Sequence, residues 1–505
     1  MIINGLTGEK LTANQLVTRS FVVAKALLAA GIKPGDVVSV VSENRFEFPY
    51  ILFASIFLNC TCAPINATYS EKELNHAFNL SKPKFIFASN ATIDSVHRVA
   101  RSLSYVKRLI LIDNEPSQSW QGLTVWREFT DPNRLLKVNF SPQAIDKSKS
   151  ICLILCSSGT TGLPKGVQLS QQNFIVAIRN RQLLISGGVE HEVLLGLLPL
   201  FHVYGCEVLI SVMTTVTGTI ILLPKFEEQT FLSCIEKYRC TTLCLVPPLM
   251  VFLSKSDNVD KYDLSSVTII YSGAAPLSKE TEEAVMNRLR NPNVVIKNTY
   301  GMSELTSAVL SQKNVKKPGS VGELNLGVYA KVIDETGHSL GPNKPGELCF
   351  KGSRVMAGYI GDKQATSALI DEEGWLHTGD IGYYDEDLQF YVVDRIKELI
   401  KWNGFQVPPA ELEATLLTHP KIKDCGVIGK PDEKVGEVPV AFVVKLDNSL
   451  TEKEVIDFAD KDASPAKKLR GGVIFVDEIP KNPSGKILRR QLRDHLSKLL
   501  LKSKL

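Results

Sequence analysis

"ILCSSGTTGLPKGVQLS", Ile154 to Ser170, decides how the rest of the chain is read. An apolar strand runs directly into a loop of Ser, Gly and Thr, and the loop closes on Pro164, Lys165 and Gly166. Small residues leave backbone N–H groups free to face a ligand, and one ammonium stands beside them, so the loop suits an anion such as phosphate. It is not a P-loop. That motif reads GxxxxGK[ST], whereas here Pro164 replaces the second Gly and Gly166 follows the Lys. The hydroxyl that would hold Mg²⁺ beside the lysine is missing, which argues against a one-step ATPase switch. A Gly-rich surface turn is the plain alternative, and eight ordered residues in succession argue against it.

Outward from this loop the chain alternates helix and strand. Thr12 and Gln15 form a capping box for a helix running through Leu28 and stopped by Gly31. "VVSVV", Val37 to Val41, is a buried strand. The alternation continues to about residue 310 and implies α/β layers with largely parallel sheets. From about residue 319 the pattern becomes short alternating strands between Gly and Pro turns, a small β subdomain extending to about residue 393. A last unit begins at Asp394, with a helix opened by Pro408-Pro409, strands "CGVIGK" and "VPVAFVVKL", and a basic tail. The expected architecture is α/β: a large N-terminal domain, 1–393, with layered sheets and the β subdomain, and a small mobile α+β domain, 394–505. No internal repeat or low-complexity segment is present.

The bulk numbers bound the function. A chain of 505 residues is too long for one core. Net charge is only +4 and no block of five like charges occurs, which argues against nucleic acid as the main partner. The ten cysteines show no paired CxxC and read as reduced, buried thiols, not as a disulfide frame or zinc site. "MIINGLTGEK" lacks the pattern of a secretory signal. The most apolar window, Val208 to Pro224, falls short of the ~18 residues of a membrane span and reads as buried helix, turn and strand. The chain ends Ser503-Lys504-Leu505, a tripeptide read by the peroxisomal import receptor, so a peroxisomal location is expected.

Five further segments agree in order with the opening loop: "PLFHVYG" (Pro199–Gly205), "YSGAAPLSKE" (Tyr271–Glu280), "NTYGMSELTSA" (Asn298–Ala308), "GWLHTGDIGYYDEDLQFYVVDRIKELIKWNGFQVPPAELE" (Gly374–Glu413) and "AKKLRGGVIFVDEIPKNPSGKILRR" (Ala466–Arg490). Together they resemble the adenylate-forming superfamily of acyl-CoA synthetases, coumarate–CoA ligases and beetle luciferases, over nearly the whole chain. "AKKLRGGV" and "ELTSA" look closer to the insect luciferase-like branch. The chain departs from that branch at its front, where about one helix and one strand of the usual N-terminal region are absent.

The resemblance implies a two-step reaction: a small-molecule carboxylic acid attacks the α-phosphate of ATP, and a thiol, usually CoA, then displaces AMP. The first step brings an anion to a polyanion, so well-placed cations should dominate it. Carried over residue by residue, the resemblance puts the nucleotide against Ser157, Ser158, Gly159, Thr160, Thr161, Gly162 and Lys165, against Gly273, Ala274 and Ala275, and against Asn298, Thr299, Tyr300, Gly301, Met302 and Ser303. Asp380 and Arg395 take the ribose, and Glu304 is the Mg²⁺ ligand; a carboxylate is a suitable hard ligand for that ion. Lys486 bridges the acid and the α-phosphate. His202 lies where the acyl pocket meets the adenylate, although a lone His in an apolar segment is more often a packed core residue. Lys401 serves the thiol step, with Trp402, Asn403 and Gly404 beside the CoA tunnel; the branch often has Lys at position 403. Asp394–Arg395 is the expected hinge. A luciferase, which oxidises the adenylate with O₂, shares all of this machinery. A catalytically silent binding protein is the rival from another class, and retention of both lysines, Glu304 and Asp380 argues against it.

Overall fold

The computed structural model describes the 505 residues except 116–119, 121, 143, 158–163, 186–190, 214–217, 290, 314–316, 404, 433, 462, 483–484 and 503–505. Two large sheets carry the N-terminal part. One has eight strands, with a parallel centre of Ile151–Ser157, Thr61–Ile65, Val37–Val41, Phe85–Ala88, Arg108–Leu111 and Leu123–Val125. The other has nine, with Val295–Met302, Ile269–Ser272, Thr242–Leu245, Val193–Gly196, Thr219–Leu222 and Ile2–Asn4 parallel at its centre. Parallel strands covered on both faces read as unbroken apolar runs, and Phe85 to Ala88 is such a run, wholly buried.

The local signals act as read. Thr12 accepts from the Gln15 N–H at 3.2 Å and Gln15 accepts from the Thr12 N–H at 2.9 Å, opening the helix Ala13–Ala29. Val37–Val41 lies in the middle of the parallel core, between Thr61–Ile65 and Phe85–Ala88. The apolar window splits into the helix Val203–Met213 and the strand Thr219–Leu222. Among the described residues no helix is long and apolar enough to cross a membrane.

The β subdomain is a four-stranded antiparallel sheet of Val328–Ile333, Gly346–Gly352, Leu376–Tyr384 and Phe390–Arg395. Its core packs Val332, Leu348, Phe350, Leu376 and Phe390 against Leu305, Val309 and Leu310, so it grows directly from the "SELTSAVL" segment. One short strand, Gly358–Tyr359, leaves this subdomain and pairs antiparallel with Lys165–Ser170 at the edge of the eight-stranded sheet. Composition gave no hint of this crossing.

From Ile400 onward a further sheet forms from Phe405–Val407, Ile400–Trp402, Gly436–Lys445 and Ile422–Asp432, joined by Val473–Phe475. The helix Pro409–Leu417 packs on it, and the sheet has separate apolar clusters on its two faces. Asp394 and Arg395 end a strand here, paired with Ile381 and Asp380. The Asp394 carboxylate accepts from the Arg395 N–H at 2.7 Å and, across the junction, from the Ala410 N–H at 3.1 Å, at the start of the Pro409–Leu417 helix.

Candidate active site

The opening loop is the connection of an antiparallel pair, Ile151–Ser157 and Lys165–Ser170, in which Ser157 lies opposite Lys165. Ser158, Gly159, Thr160, Thr161 and Gly162 lie outside the described residues, as do Gly404 and the terminal Ser503-Lys504-Leu505. What the structure places is the loop's exit. The Lys165 ammonium sits 4.8 Å from the centre of the Tyr359 ring. The Tyr359 hydroxyl donates to Glu304 Oε1 at 2.8 Å. The crossing strand therefore joins the loop lysine to the expected metal ligand through one tyrosine, which sequence reasoning missed. Burial and the Glu304 charge push the Tyr359 phenol up, so it stays a donor.

The "NTYGMSE" segment is held in shape by backbone demands. A Cβ on Gly301 would lie 2.0 Å from the Ser307 carbonyl oxygen, so only glycine fits that position. Thr306 and Ser307 turn back through the left-handed region, at φ of 54° and 74°, and Ala274 does the same at 72°. Such conformations are costly for residues with a Cβ and cluster where a loop is shaped for a ligand. Asn298 is buried and donates to Glu282 at 3.2 Å, and Thr299 donates to the Ser272 carbonyl at 3.2 Å. The first bond ties the segment to the helix Lys279–Arg288 and the second to the strand that leads into Gly273. Met302 and Ser303 lead into the short 3₁₀ turn Ser303–Leu305, where Ser303 and Glu304 are buried.

Asp380 is the centre of a second cluster. It is 4% exposed. The Tyr300 hydroxyl donates to its Oδ2 at 2.6 Å, and Arg395 Nε lies 3.1 Å from its Oδ1. Among the described residues that Oδ1 has no well-directed hydrogen bond, leaving one buried acceptor of the kind a ribose hydroxyl would fill. Burial pushes the Asp380 carboxyl up, while Arg395 and the Tyr300 hydrogen bond oppose it. Lys486 joins this group from the other end of the sequence. Burial, then the Arg395 charge, bring its ammonium down to about 8, against the pull of Glu398 and Asp380.

The turn presenting Lys486 is anchored from both sides. The Lys486 N–H donates to the Asn482 side chain at 2.9 Å, and Gly485 takes φ +79° where a Cβ would lie 3.1 Å from Pro248 of the large domain. Three residues on, Arg489 is 8% exposed and bridges Glu398 and both oxygens of Glu413, each at 2.8 Å. This ion network was also missed, because its partners stand 76 and 91 residues away in sequence.

His202 is half-buried just before the helix Val203–Met213. Its Nδ1 accepts from the Tyr204 N–H at 3.3 Å, which leaves the proton on Nε2. Burial brings the imidazole down to about 4, so at neutral pH it is an uncharged donor. Arg354 carries a buried charge elsewhere in the large domain. It is 1% exposed and donates to the Thr306 carbonyl at 2.7 Å, while its Nε and Nη1 have no partner among the described residues. Burial brings it down to about 10, against the pull of Glu207, whose carboxylate accepts from Ser307 Oγ at 3.4 Å.

Lys401 does not join either cluster. It is exposed on the hairpin Ile400–Trp402 and Phe405–Val407, with its backbone N–H donating to Glu437. Asn403 turns the hairpin at φ 47°, and the Trp402 ring lies under Arg470 at 4.9 Å.

Comparison with known proteins fits this geometry. The profile of the AMP-binding enzymes matches residues 2–360, and that of the AMP-binding enzyme C-terminal domain matches 411–486. The chain is 41% identical to a luciferin 4-monooxygenase of Nipponoluciola cruciata, over 99% of this chain and 92% of that one. It is 38% identical to a probable 4-coumarate–CoA ligase of Dictyostelium discoideum, over 98% and 92%. The ATP-bound structure of MatB from Rhodopseudomonas palustris superposes with a TM-score of 0.85 at 27% identity, covering 98% of this chain and 95% of that one. On the match of its sequence to the AMP-binding enzymes over most of its length, the chain belongs to the AMP-binding, adenylate-forming enzyme family.

Proposed function

We propose that the protein is an AMP-forming acid–thiol ligase: it activates a carboxylic acid with ATP and passes the acyl group to CoA. The observation that carries this reading is the buried cluster of Asp380, Tyr300 and Arg395, with Lys486 buried where the charges of Asp380 and Arg395 act on it. In the first step a carboxylate oxygen forms a bond to the α-phosphorus, the bond to the pyrophosphate oxygen breaks, and pyrophosphate leaves. Lys486 faces the carboxylate and the α-phosphate and offsets their repulsion. Asp380 holds the ribose, with Tyr300 fixing the carboxylate and presenting its ring to the adenine. Lys165 and the loop before it receive the leaving phosphates. Neutral His202 donates from Nε2 at the wall between the acid and the nucleotide. In the second step the CoA thiolate attacks the acyl carbon and AMP leaves, with Lys401 serving that step.

Glu304 fits a hard divalent cation: its carboxylate is buried, and Oε1 accepts from the Tyr359 hydroxyl. Mg²⁺ held there would supply charge neutralisation of the phosphates.

Pyrophosphate release with a panel of acids tests the first step, and thioester formation on adding CoA tests the second. The panel should include fatty and aryl acids, and acids with a distal hydroxyl or carboxylate, because Arg354 and Glu207 bury charge beside Ser307. Release with no acid would remove the enzyme reading. The relation to luciferin 4-monooxygenase supports a second reading, oxidation of a luciferyl adenylate; light from luciferin and ATP, with no thioester formed, would favour it. We assign the protein to the peroxisome through Ser503-Lys504-Leu505. A fluorescent N-terminal fusion should become cytosolic when Leu505 is deleted, with activity unchanged in vitro.

A further inference from the structure

We propose that the β subdomain carries a binding site for a thiophilic divalent cation of the Zn²⁺ class, formed by Glu347, Cys349 and His377 and separate from the adenylation site. The site follows from strand register. Glu347 and Cys349 stand two residues apart on Gly346–Gly352, and His377 on Leu376–Tyr384 is the direct cross-strand partner of Cys349. Residues at i, i+2 and opposite one another share a sheet face, so three different ligating atoms converge. Cys349 Sγ lies 3.5 Å from His377 Nδ1, and His377 Nδ1 lies 3.1 Å from Glu347 Oε2. All three ligand atoms fall within 4.8 Å of one another.

These separations suit a metal. A tetrahedral zinc with bonds of about 2.3 Å to sulfur and about 2.0 Å to nitrogen and oxygen sets its ligand atoms roughly 3.3–3.6 Å apart. Two edges of that tetrahedron are already near those lengths, and the third is no longer than 4.8 Å. The outer atoms are also arranged as a metal site needs. His377 Nε2 faces Asp371 Oδ2 at 3.3 Å, which fixes the ring with Nδ1 inward, the carboxylate–histidine–metal arrangement. Glu347 Oε1 accepts from the Gly379 N–H at 2.9 Å, which leaves Oε2 to the cation. The thiol is buried while the imidazole and carboxylate are half-buried, so an ion enters from the histidine side and keeps one position open to water. On binding, the S–H bond of Cys349 breaks, its proton leaves to solvent, and a sulfur–metal bond forms. One thiolate and one carboxylate then balance the double charge. Rules for paired cysteines cannot find such a site, since its ligands come from two strands 28 residues apart.

The test uses the full-length chain, stripped with a chelator and kept reduced, titrated with Co²⁺ and then Zn²⁺. One equivalent of cobalt should give a thiolate-to-metal band in the near ultraviolet, bleached by one equivalent of zinc. C349S should abolish the band, H377Q should weaken binding at least tenfold, and D371N should weaken it by about tenfold without abolishing it. Should C349S not fold, the half-buried H377Q carries the decision. Zinc should raise the Tm of the wild type and leave that of H377Q unchanged. Absence of the band at ten equivalents of cobalt, or a band of equal strength and affinity in the variants, would overturn the site, leaving His377 as an imidazole held between two carboxylates.

Discussion

The two lysine-bearing turns of the C-terminal domain stand in opposite surroundings. Lys486 is drawn down to about 8 beside Asp380, Arg395 and Glu398, on a turn braced by Pro248 and by the Arg489 network. Lys401 is exposed on a hairpin whose nearest anchors, Glu437 and Arg470, belong to its own domain. A residue built into a reacting centre is desolvated and surrounded by charge; one waiting for a different arrangement is not. The difference supports a division of labour in which this pose serves adenylation and another serves thiol transfer.

The strongest way to break that contrast is to remove each lysine. Lys486→Ala should slow adenylate formation by about 10²–10³-fold, the value of one preorganised charge at a developing transition state, roughly 3–4 kcal/mol. Thioester formation from pre-made acyl-adenylate should be far less affected. Lys401→Ala should show the opposite bias. Single-turnover kinetics of each half-reaction decide the matter: equal losses in both halves for both variants would mean one fixed site serves both steps.

Much of this site was readable before any coordinates, because its residues sit in contiguous motifs whose order survives in sequence. Thr12 and Gln15, Val37 to Val41, and the "NTYGMSE" and "HTGD" segments each carry a local signal, a cap, an apolar run or a fixed spacing. What stayed hidden is long-range. Tyr359 reaches Glu304 across 55 residues, through a two-residue strand that deserts its own subdomain. Glu398 and Glu413 look like ordinary surface acids until the fold buries them around Arg489. The left-handed turn at Thr306 and Ser307 leaves no trace in composition, since neither residue is a glycine.

A sharper test of the nucleotide side is Glu304→Ala. It removes the buried carboxylate at the end of the Lys165–Tyr359 relay. Mg²⁺-dependent adenylation should fall by about a hundredfold, in line with the several kcal/mol a metal contributes to phosphoryl charge. Acid binding measured by titration without ATP should barely change. An equal loss of acid binding would make Glu304 a structural residue.

Proton occupancy gives a smaller, graded test. With Lys486 at about 8, its charge is present below that pH and lost above it. Adenylation kcat/KM should therefore fall up to tenfold per unit above about pH 8, and Lys486→Arg should hold its lower activity to higher pH. Stability should move the other way. Between about pH 8 and 10.5 the unfolded chain keeps a lysine proton that the native state has released, so this residue makes the fold more stable as pH rises through that window. A pH profile flat to 10 would remove Lys486 from the reacting centre.

The smallest effect concerns what holds this pose. Lys255, at the end of the large-domain helix Pro247–Lys255, donates to the Leu417 carbonyl at 3.0 Å and to the Ile422 carbonyl at 2.7 Å. Leu417 is the last residue of the helix Pro409–Leu417, so the ammonium meets one of its orphan carbonyls at the negative end of the helix dipole, and a carbonyl at the start of the strand Ile422–Asp432. Burial pushes Lys255 down, a cost that its two carbonyl partners offset only while the domains are together. If the C-terminal domain swings between half-reactions, this bond must break each time. Lys255→Met keeps the aliphatic stem and deletes the bond, worth about 1–2 kcal/mol. Adenylation should then slow several-fold, while thioester formation from pre-made adenylate is unchanged or faster. Limited proteolysis near residues 394–404 should speed up in parallel. Loss of both half-reactions together, with no change in cleavage, would show that Lys255 supports the fold and not the pose.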